Sequence, residues 1–322
     1  MTRPGTKVLG LDVGGTTSRA RLVAGGNIVA DARSSSANAA AVGLDVTAHV
    51  LDELLGQLPL EDWAPLDAAC AGIAGALSGS VRLFQQRLGA VAKNVVVLGD
   101  VHLVLPAAGL ERGIALICGT GSAALATDGH QTVTAGGWGY LLGDEAGGYW
   151  TVREAVRELL QRSDRGRPLG PLGPALLRAA GVLDVTELRD RFYEAHRPSL
   201  WAALAPVVLG SADAAVEVLL ENAGKALEGL VEAVEERLGG LRGLPIVVAG
   251  GLTANPRFSQ RVTAHLRRAR PNAAVSVLDN PPVVGAVRLA EHAARRTPDE
   301  VATNKRRADV TPSNPEEVSG CA

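Results

Sequence analysis

The stretch Lys7-Val-Leu-Gly-Leu-Asp-Val-Gly-Gly-Thr-Thr-Ser-Arg-Ala-Arg-Leu-Val23 decides how this chain folds. It reads as an apolar strand over 7–13, a Gly-Gly-Thr-Thr turn and a second strand over 17–23. A third strand over 27–33 follows the turn Ala24-Gly-Gly-Asn27. Gly14 and Gly15 let the backbone reverse with its amides converging on one point, and Thr16 and Thr17 add hydroxyls beside them. That combination suits a phosphate; it also suits an ordinary hairpin with an Asp nearby. A Walker loop is excluded, since the turn lacks its lysine and leads into a strand rather than a helix. Asp12 ends the first strand as an oxygen ligand for magnesium, an ion that keeps much of its water.

Beyond this meander lies the small-residue loop Ser34-Ser-Ser-Ala-Asn38, then a helix over about 44–57. The amide of Asn38 can read a sugar hydroxyl, although Asn in such a loop equally serves a turn. A strand over 66–74, a helix near 79–90, a buried strand over 94–100 and a helix over about 101–109 come next. Strands and helices alternating at this spacing indicate a mixed, largely parallel α/β sheet, whose chemistry sits at the carboxyl ends of its strands. Asp100 stands at one of those ends.

The opening pattern then repeats. A strand over 113–118, the turn Gly119-Thr-Gly-Ser122 and a strand over 123–127 restate strand, glycine-hydroxyl turn, strand. If the two halves face each other, both turns can grip one phosphate chain. Next comes Gly136-Gly-Trp-Gly-Tyr-Leu-Leu-Gly-Asp-Glu-Ala-Gly-Gly-Tyr-Trp150, holding four of the chain's seven Trp and Tyr residues among six glycines and an Asp-Glu pair. So many glycines suit a binding loop that brings backbone and flat rings against a polar ring-shaped ligand better than they suit a core strand. A helix over about 151–161, a loop over 163–175 and consecutive helices to about 240 are expected. The strand Leu244–Ala249, the turn Gly250-Gly251 and a helix starting at Asn255-Pro256 form a junction where adenine can lie on bare backbone, although such junctions are common. A last strand over 275–278 and a helix over 283–295 precede a polar stretch from Thr297 that reads as a disordered tail.

With 322 residues the chain is long enough for two domains, and a net charge of −2 without a basic stripe suggests neither nucleic acid nor an anionic membrane as partner. No apolar run approaches the roughly 20 residues that span a bilayer, and no signal-peptide segment precedes the first strand, so a cytoplasmic location is expected. Cys70, Cys118 and Cys321 are too scattered for a disulfide framework, structural zinc or an iron–sulfur cluster; the first two read as small core residues.

Taken in order, these segments resemble the sugar kinase, Hsp70 and actin superfamily, and within it the N-acetylglucosamine kinase group of the BadF/BadG/BcrA/BcrD ATPase family, over about residues 7–295. Leu11–Thr17 is similar to the first phosphate motif, Ile117–Ser122 to the second, Val248–Leu252 to the adenosine motif, and Gly137–Glu145 with Tyr149-Trp150 to the sugar signature. The resemblance implies two ribonuclease-H-like (actin-like ATPase) domains around a central cleft, binding ATP, Mg2+ and a hexosamine. One domain would span 1–108 and be completed by the helix 283–296; the other would span 109–282 and carry a helical insertion.

It also implies Asp100 as catalytic base and the 6-hydroxyl of N-acetylglucosamine as acceptor. Asn38, Asp100, Gly121, Gly136, Gly137, Trp138 and Asp144 would surround the sugar. Gly14, Gly15, Thr16, Thr17, Gly119, Thr120, Gly250, Gly251 and Asn255 would hold the nucleotide, with Asp12 toward the metal. Relatives are often homodimers. Where relatives carry Gly-Ser after the Asp-Glu pair, this chain has Ala146-Gly147. Glucosamine, N-acetylmuramic acid or glucose as acceptor, an ATP-driven dehydratase activator, and a non-catalytic sugar or nucleotide sensor are the alternatives. The scattered cysteines speak against the activator and against zinc-bearing glucokinases.

Overall fold

The computed structural model describes residues 5–36, 43–194 and 197–295. Asn38, Cys321 and the stretch from Thr297 lie outside the described residues. The first five strands, β1 (Lys7–Val13), β2 (Thr17–Ala24), β3 (Asn27–Ser35), β4 (Leu66–Ile73) and β5 (Ala92–Gly99), form one sheet in the order β3-β2-β1-β4-β5. β1 runs antiparallel to β2 and parallel to β4. A second sheet contains β6 (Gly113–Cys118), β7 (Ser122–Thr127), β8 (Thr132–Gly136), β9 (Ile246–Ala249) and β10 (Val275–Val277), in the order β10-β9-β6-β7-β8. Its senses match, with β6 antiparallel to β7 and parallel to β9. One ribonuclease-H-like topology is thus built twice, and the turn Gly14–Thr16 corresponds to the turn Gly119–Gly121.

β1 is central because it is apolar on both faces: Val8, Leu9 and Leu11 are fully buried. Leu9, Leu11 and Val13 pack with Leu51, Leu54, Phe84 and Leu88 from the helices Leu44–Gly56 and Ser78–Gly89. Val8 on the opposite face packs with Ala286, Val287 and Ala290 from the chain's last helix, Pro282–Ala293. Gly10 lets that helix in, because a Cβ there would lie 2.6 Å from the Val287 backbone nitrogen.

The second sheet buries Ile114, Leu116 and Cys118 against a helical block that includes Gly148–Asp164 and Ala214–Arg237. Its other face, through Ala115, Leu125, Val247 and Ala249, packs on Val101, Val104 and Leu105. Those three belong to a 3-10 turn, Asp100–Leu103, running into the helix Val104–Ala108. Leu103 of the same turn joins the core beneath the first sheet. The segment starting at Asp100 is therefore wedged between both halves.

Several local expectations need correction. Asp100 lies one residue past β5, as the first residue of the 3-10 turn. Gly136 closes a strand, β8, that the sequence reading left out. The loop expected over 163–175 is shorter, because a helix starts at Leu172 and runs to Ala180 with Leu172 and Leu176 fully buried. Cys70 and Cys118 are buried, and burial pushes each thiol up to about 12. Among the described residues no single helix is long and apolar enough to cross a membrane.

Candidate active site

Three carboxylates from three parts of the chain are coupled in series, Asp12 to Asp100 and Asp100 to Asp144. Asp12 sits on β1, opposite Arg19 of β2 and Gly72 of β4. Burial raises its carboxyl to about 7, the charge of Asp100 adds to the shift, and Arg19 opposes it. Asp100 is raised to about 6, chiefly by burial and further by Asp144, while its own N–H and that of Val101 donate to it and hold it down. Asp144 is raised by burial, against hydrogen bonds donated by the Ser122 and Gly139 amides. Asp100 thus stands electrostatically between the strand-end carboxylate of the first sheet and the loop carboxylate of the second. A group whose ionisation is this costly awaits a cation or a proton.

The two equivalent turns close alike. In the first, the Gly14 amide donates to the Thr17 carbonyl at 3.0 Å, leaving Thr16 and Thr17 exposed. In the second, the Gly119 amide donates to the Gly121 carbonyl at 2.9 Å. The Thr120 hydroxyl there is buried with no hydrogen-bond partner, an orphan donor that a phosphate oxygen would satisfy. The third glycine turn abuts the second: Gly250 has φ 105, and a Cβ on it would overlap the Cys118 backbone at the end of β6. Gly251 opens a short 3-10 turn beyond it. The side chain of Asn255 caps the helix Pro256–Ala269, accepting from the Arg257 and Phe258 amides at 3.0 and 3.2 Å. Its oxygen is therefore already engaged.

The loop after β8 lies directly on the second turn. Gly136, Gly137 and Gly139 have φ of 73, 71 and 88, which frees the backbone to bend sharply around Trp138. Trp138 is 75% exposed. Gly147 has no room for a Cβ, which would lie 2.6 Å from the Gly121 Cα. The Gly148 amide donates to the Gly119 carbonyl at 2.8 Å and the Tyr149 amide to the Thr120 carbonyl at 3.1 Å. A recess of about 300 Å³ opens beside Asp144, between this loop, β8 and the helix Ala214–Arg237.

The structure therefore couples Asp12 to Asp100 and Asp100 to Asp144 electrostatically, and sets Gly121, Gly136, Gly137 and Trp138 in and around the loop that carries Asp144. Gly14 to Thr17, Gly119, Thr120, Gly250 and Gly251 lie in the three turns. Among the described residues no group of three His, Cys, Asp or Glu side chains is placed to hold a metal alone. A single carboxylate, Asp12, fits an ion that takes its remaining ligands from phosphate and water. Arg19 and Ser122 were missed by sequence reasoning. The first carried only an alternating-strand signal, and the second was read as part of a turn rather than as a contact.

A family model for the BadF/BadG/BcrA/BcrD ATPase family matches residues 9–290, from β1 into the last helix. The chain belongs to the BadF/BadG/BcrA/BcrD ATPase family. Within it, this family member is 29% identical over 191 residues to an N-acetyl-D-glucosamine kinase of Dictyostelium discoideum, covering 55% of this chain and 59% of that protein. It is 26% identical over 195 residues to an N-acetylmuramic acid/N-acetylglucosamine kinase of Clostridium acetobutylicum, covering 57% of this chain and 61% of that one. The matches thus span about three-fifths of each curated relative's length. A solved structure from Chromobacterium violaceum, provisionally named an N-acetylglucosamine kinase, superposes with a TM-score of 0.72 at 25% identity, covering 89% of this chain and all of that one.

Proposed function

We propose that the chain is an ATP-dependent amino-sugar kinase that transfers the γ-phosphoryl group of ATP to the 6-hydroxyl of N-acetylglucosamine. The observation that carries this reading is Asp100: a half-buried carboxylate on a segment packed by both halves, coupled to Asp12 beside the first glycine turn and to Asp144 in the glycine-aromatic loop. The names of the relatives from Dictyostelium, Clostridium and Chromobacterium support the acceptor class.

In this reading the two lobes are residues 1–108 with 283–296, and residues 109–282. Phosphoryl transfer demands positioning and charge neutralisation more than covalent chemistry. The Gly15 amide and the hydroxyls of Thr16, Thr17 and Thr120 receive the triphosphate, on turns closed by the Gly14 and Gly119 amides, with adenine against Gly250 and Gly251. Asp12 would hold magnesium, which neutralises phosphate charge when bound. Asp144 accepts hydrogen bonds from sugar hydroxyls beside Trp138. Asp100 orients the acceptor hydroxyl and takes its proton as the sugar oxygen bonds to the γ-phosphorus and the bridging oxygen leaves with ADP. General-base help of this kind is worth about 10²–10⁴-fold.

A panel tests it. Purified chain is given ATP and magnesium with N-acetylglucosamine, N-acetylmuramic acid, glucosamine or glucose, and ADP release is followed. N-acetylglucosamine is expected to give the highest kcat/KM. ATP binding without turnover on any sugar would instead establish a sensor, and a preference for N-acetylmuramic acid would move the acceptor.

A further inference from the structure

The second phosphate-type turn and the loop bearing Asp144 meet at one side chain. Ser122 is 4% exposed and opens β7, opposite Cys118. Its carbonyl accepts from the Gly137 amide at 2.9 Å, and its amide donates to the Asp144 carboxylate. Its hydroxyl donates to the Glu145 carbonyl at 2.5 Å. One residue thus holds the loop at its start, at its functional carboxylate and at the peptide that follows.

The third contact falls where the loop is conformationally costly. Asp144 and Ala146 have φ of 63 and 67, in the left-handed region that side chains other than glycine's disfavour. Glu145 sits between them, so the Ser122 hydroxyl fixes the centre of the bend that presents Asp144. Ala146 is fully buried, and its Cβ cannot be relieved by swinging into solvent.

We propose that Ser122 is a positioning residue for the acceptor site: its hydroxyl locks the strained Asp144–Ala146 bend so that the Asp144 carboxylate is held ready for sugar hydroxyls. This rests on the kinase reading above. Removing the hydroxyl leaves Asp144 in place chemically but lets the bend relax, so acceptor affinity suffers while the nucleotide turn keeps its own closing bond.

The test is steady-state kinetics with ATP, magnesium and N-acetylglucosamine. Ser122→Ala is expected to raise the acceptor KM about five-fold, the fold-change of one buried hydrogen bond, with the nucleotide KM changed by less than about two-fold. Ala146→Gly, which accepts the left-handed region freely, is expected to bring the acceptor KM of the Ser122→Ala variant back toward the wild-type value. Ser122→Cys, close in size and a weaker donor, should fall between, and it supplies the readout if the alanine variant does not fold.

An unchanged acceptor KM in Ser122→Ala overturns the proposal. So does a parallel rise in both KM values, a lowered melting temperature alone, or no recovery on adding Ala146→Gly. Absence of sugar-dependent turnover in the wild-type chain would sink the kinase reading and this inference together. Wild-type turnover with an unaltered Ser122→Ala variant sinks this inference alone.

Discussion

Asp100 is raised to about 6 because burial penalises its anion and the nearby Asp144 adds repulsion. A base must be ionised to accept a proton, so raising its pKa moves the acid limb of the pH–rate profile upward. At pH 5 about one-tenth of Asp100 would be ionised, and kcat/KM for the sugar should stand near one-tenth of its plateau, falling about ten-fold per further pH unit. An ordinary carboxylate near 3.8 would leave about nine-tenths of the plateau at pH 5. The sugar's kcat/KM is measured at saturating ATP and magnesium, where Asp12, itself raised to about 7, would be held ionised by the metal and the limb reports Asp100. Phosphosugar should be quantified directly by mass spectrometry, so that no coupling enzyme contributes its own pH dependence. Asp144→Asn removes the repulsive neighbour and should shift the limb to lower pH, whereas Asp100→Asn should lower the plateau about 10²–10⁴-fold and abolish the limb. A limb near pH 4, or one that moves with magnesium concentration as competition at Asp12 would cause, refutes the assignment.

Three further outcomes are expected. Gly121→Ala places a Cβ onto the Asp144 carboxylate and must displace it; a misplacement of about 1 Å costs on the order of 10²-fold, so kcat/KM for the sugar should fall by that order while circular dichroism stays native, and a normal acceptor KM would contradict the packing. Gly285→Ala drives a Cβ into the Leu103 carbonyl, three residues beyond Asp100; turnover and melting temperature should fall together, and a drop in melting temperature at full kcat would detach this contact from catalysis. Asp213 accepts two hydrogen bonds of 2.8 Å from Arg162 and is held down to about 2, so its contribution is complete above about pH 4 and lost as pH falls toward 2. Asp213→Ala should cost about 1.5–3 kcal/mol, since Arg162 keeps its bond to Glu158 but loses two charged hydrogen bonds, and a melting curve unchanged from wild type at neutral pH would contradict this.

Much of the first sheet and its glycine turn was legible because its signals are local. A seven-residue apolar run into Gly14-Gly15 allows few conformations, and Asp100 announces itself at a strand end. What escaped depends on tertiary contact. β8 reads Thr-Val-Thr-Ala-Gly, too polar and short to stand out, and it exists because β7 offers a ladder. The helix Gly148–Asp164 starts three residues before sequence suggests, since Gly148 and Tyr149 are poor initiators that become fixed by the Gly119 and Thr120 carbonyls. The helix from Leu172 hides behind Pro171, Gly173 and Pro174, and forms because Leu172 and Leu176 are buried. Ser122 reads as a turn residue until the loop that it holds, more than twenty residues later, folds back upon it.

The most direct measurement is the identity of the product. Phosphorus–proton correlation NMR on the reaction of the purified chain with ATP, magnesium and N-acetylglucosamine should show one phosphomonoester coupled to the protons on carbon 6, with ADP formed in equal amount. Phosphorus on another carbon would mean that Asp100 does not face that alcohol, and ATP bound without any phosphosugar would contradict the kinase assignment itself.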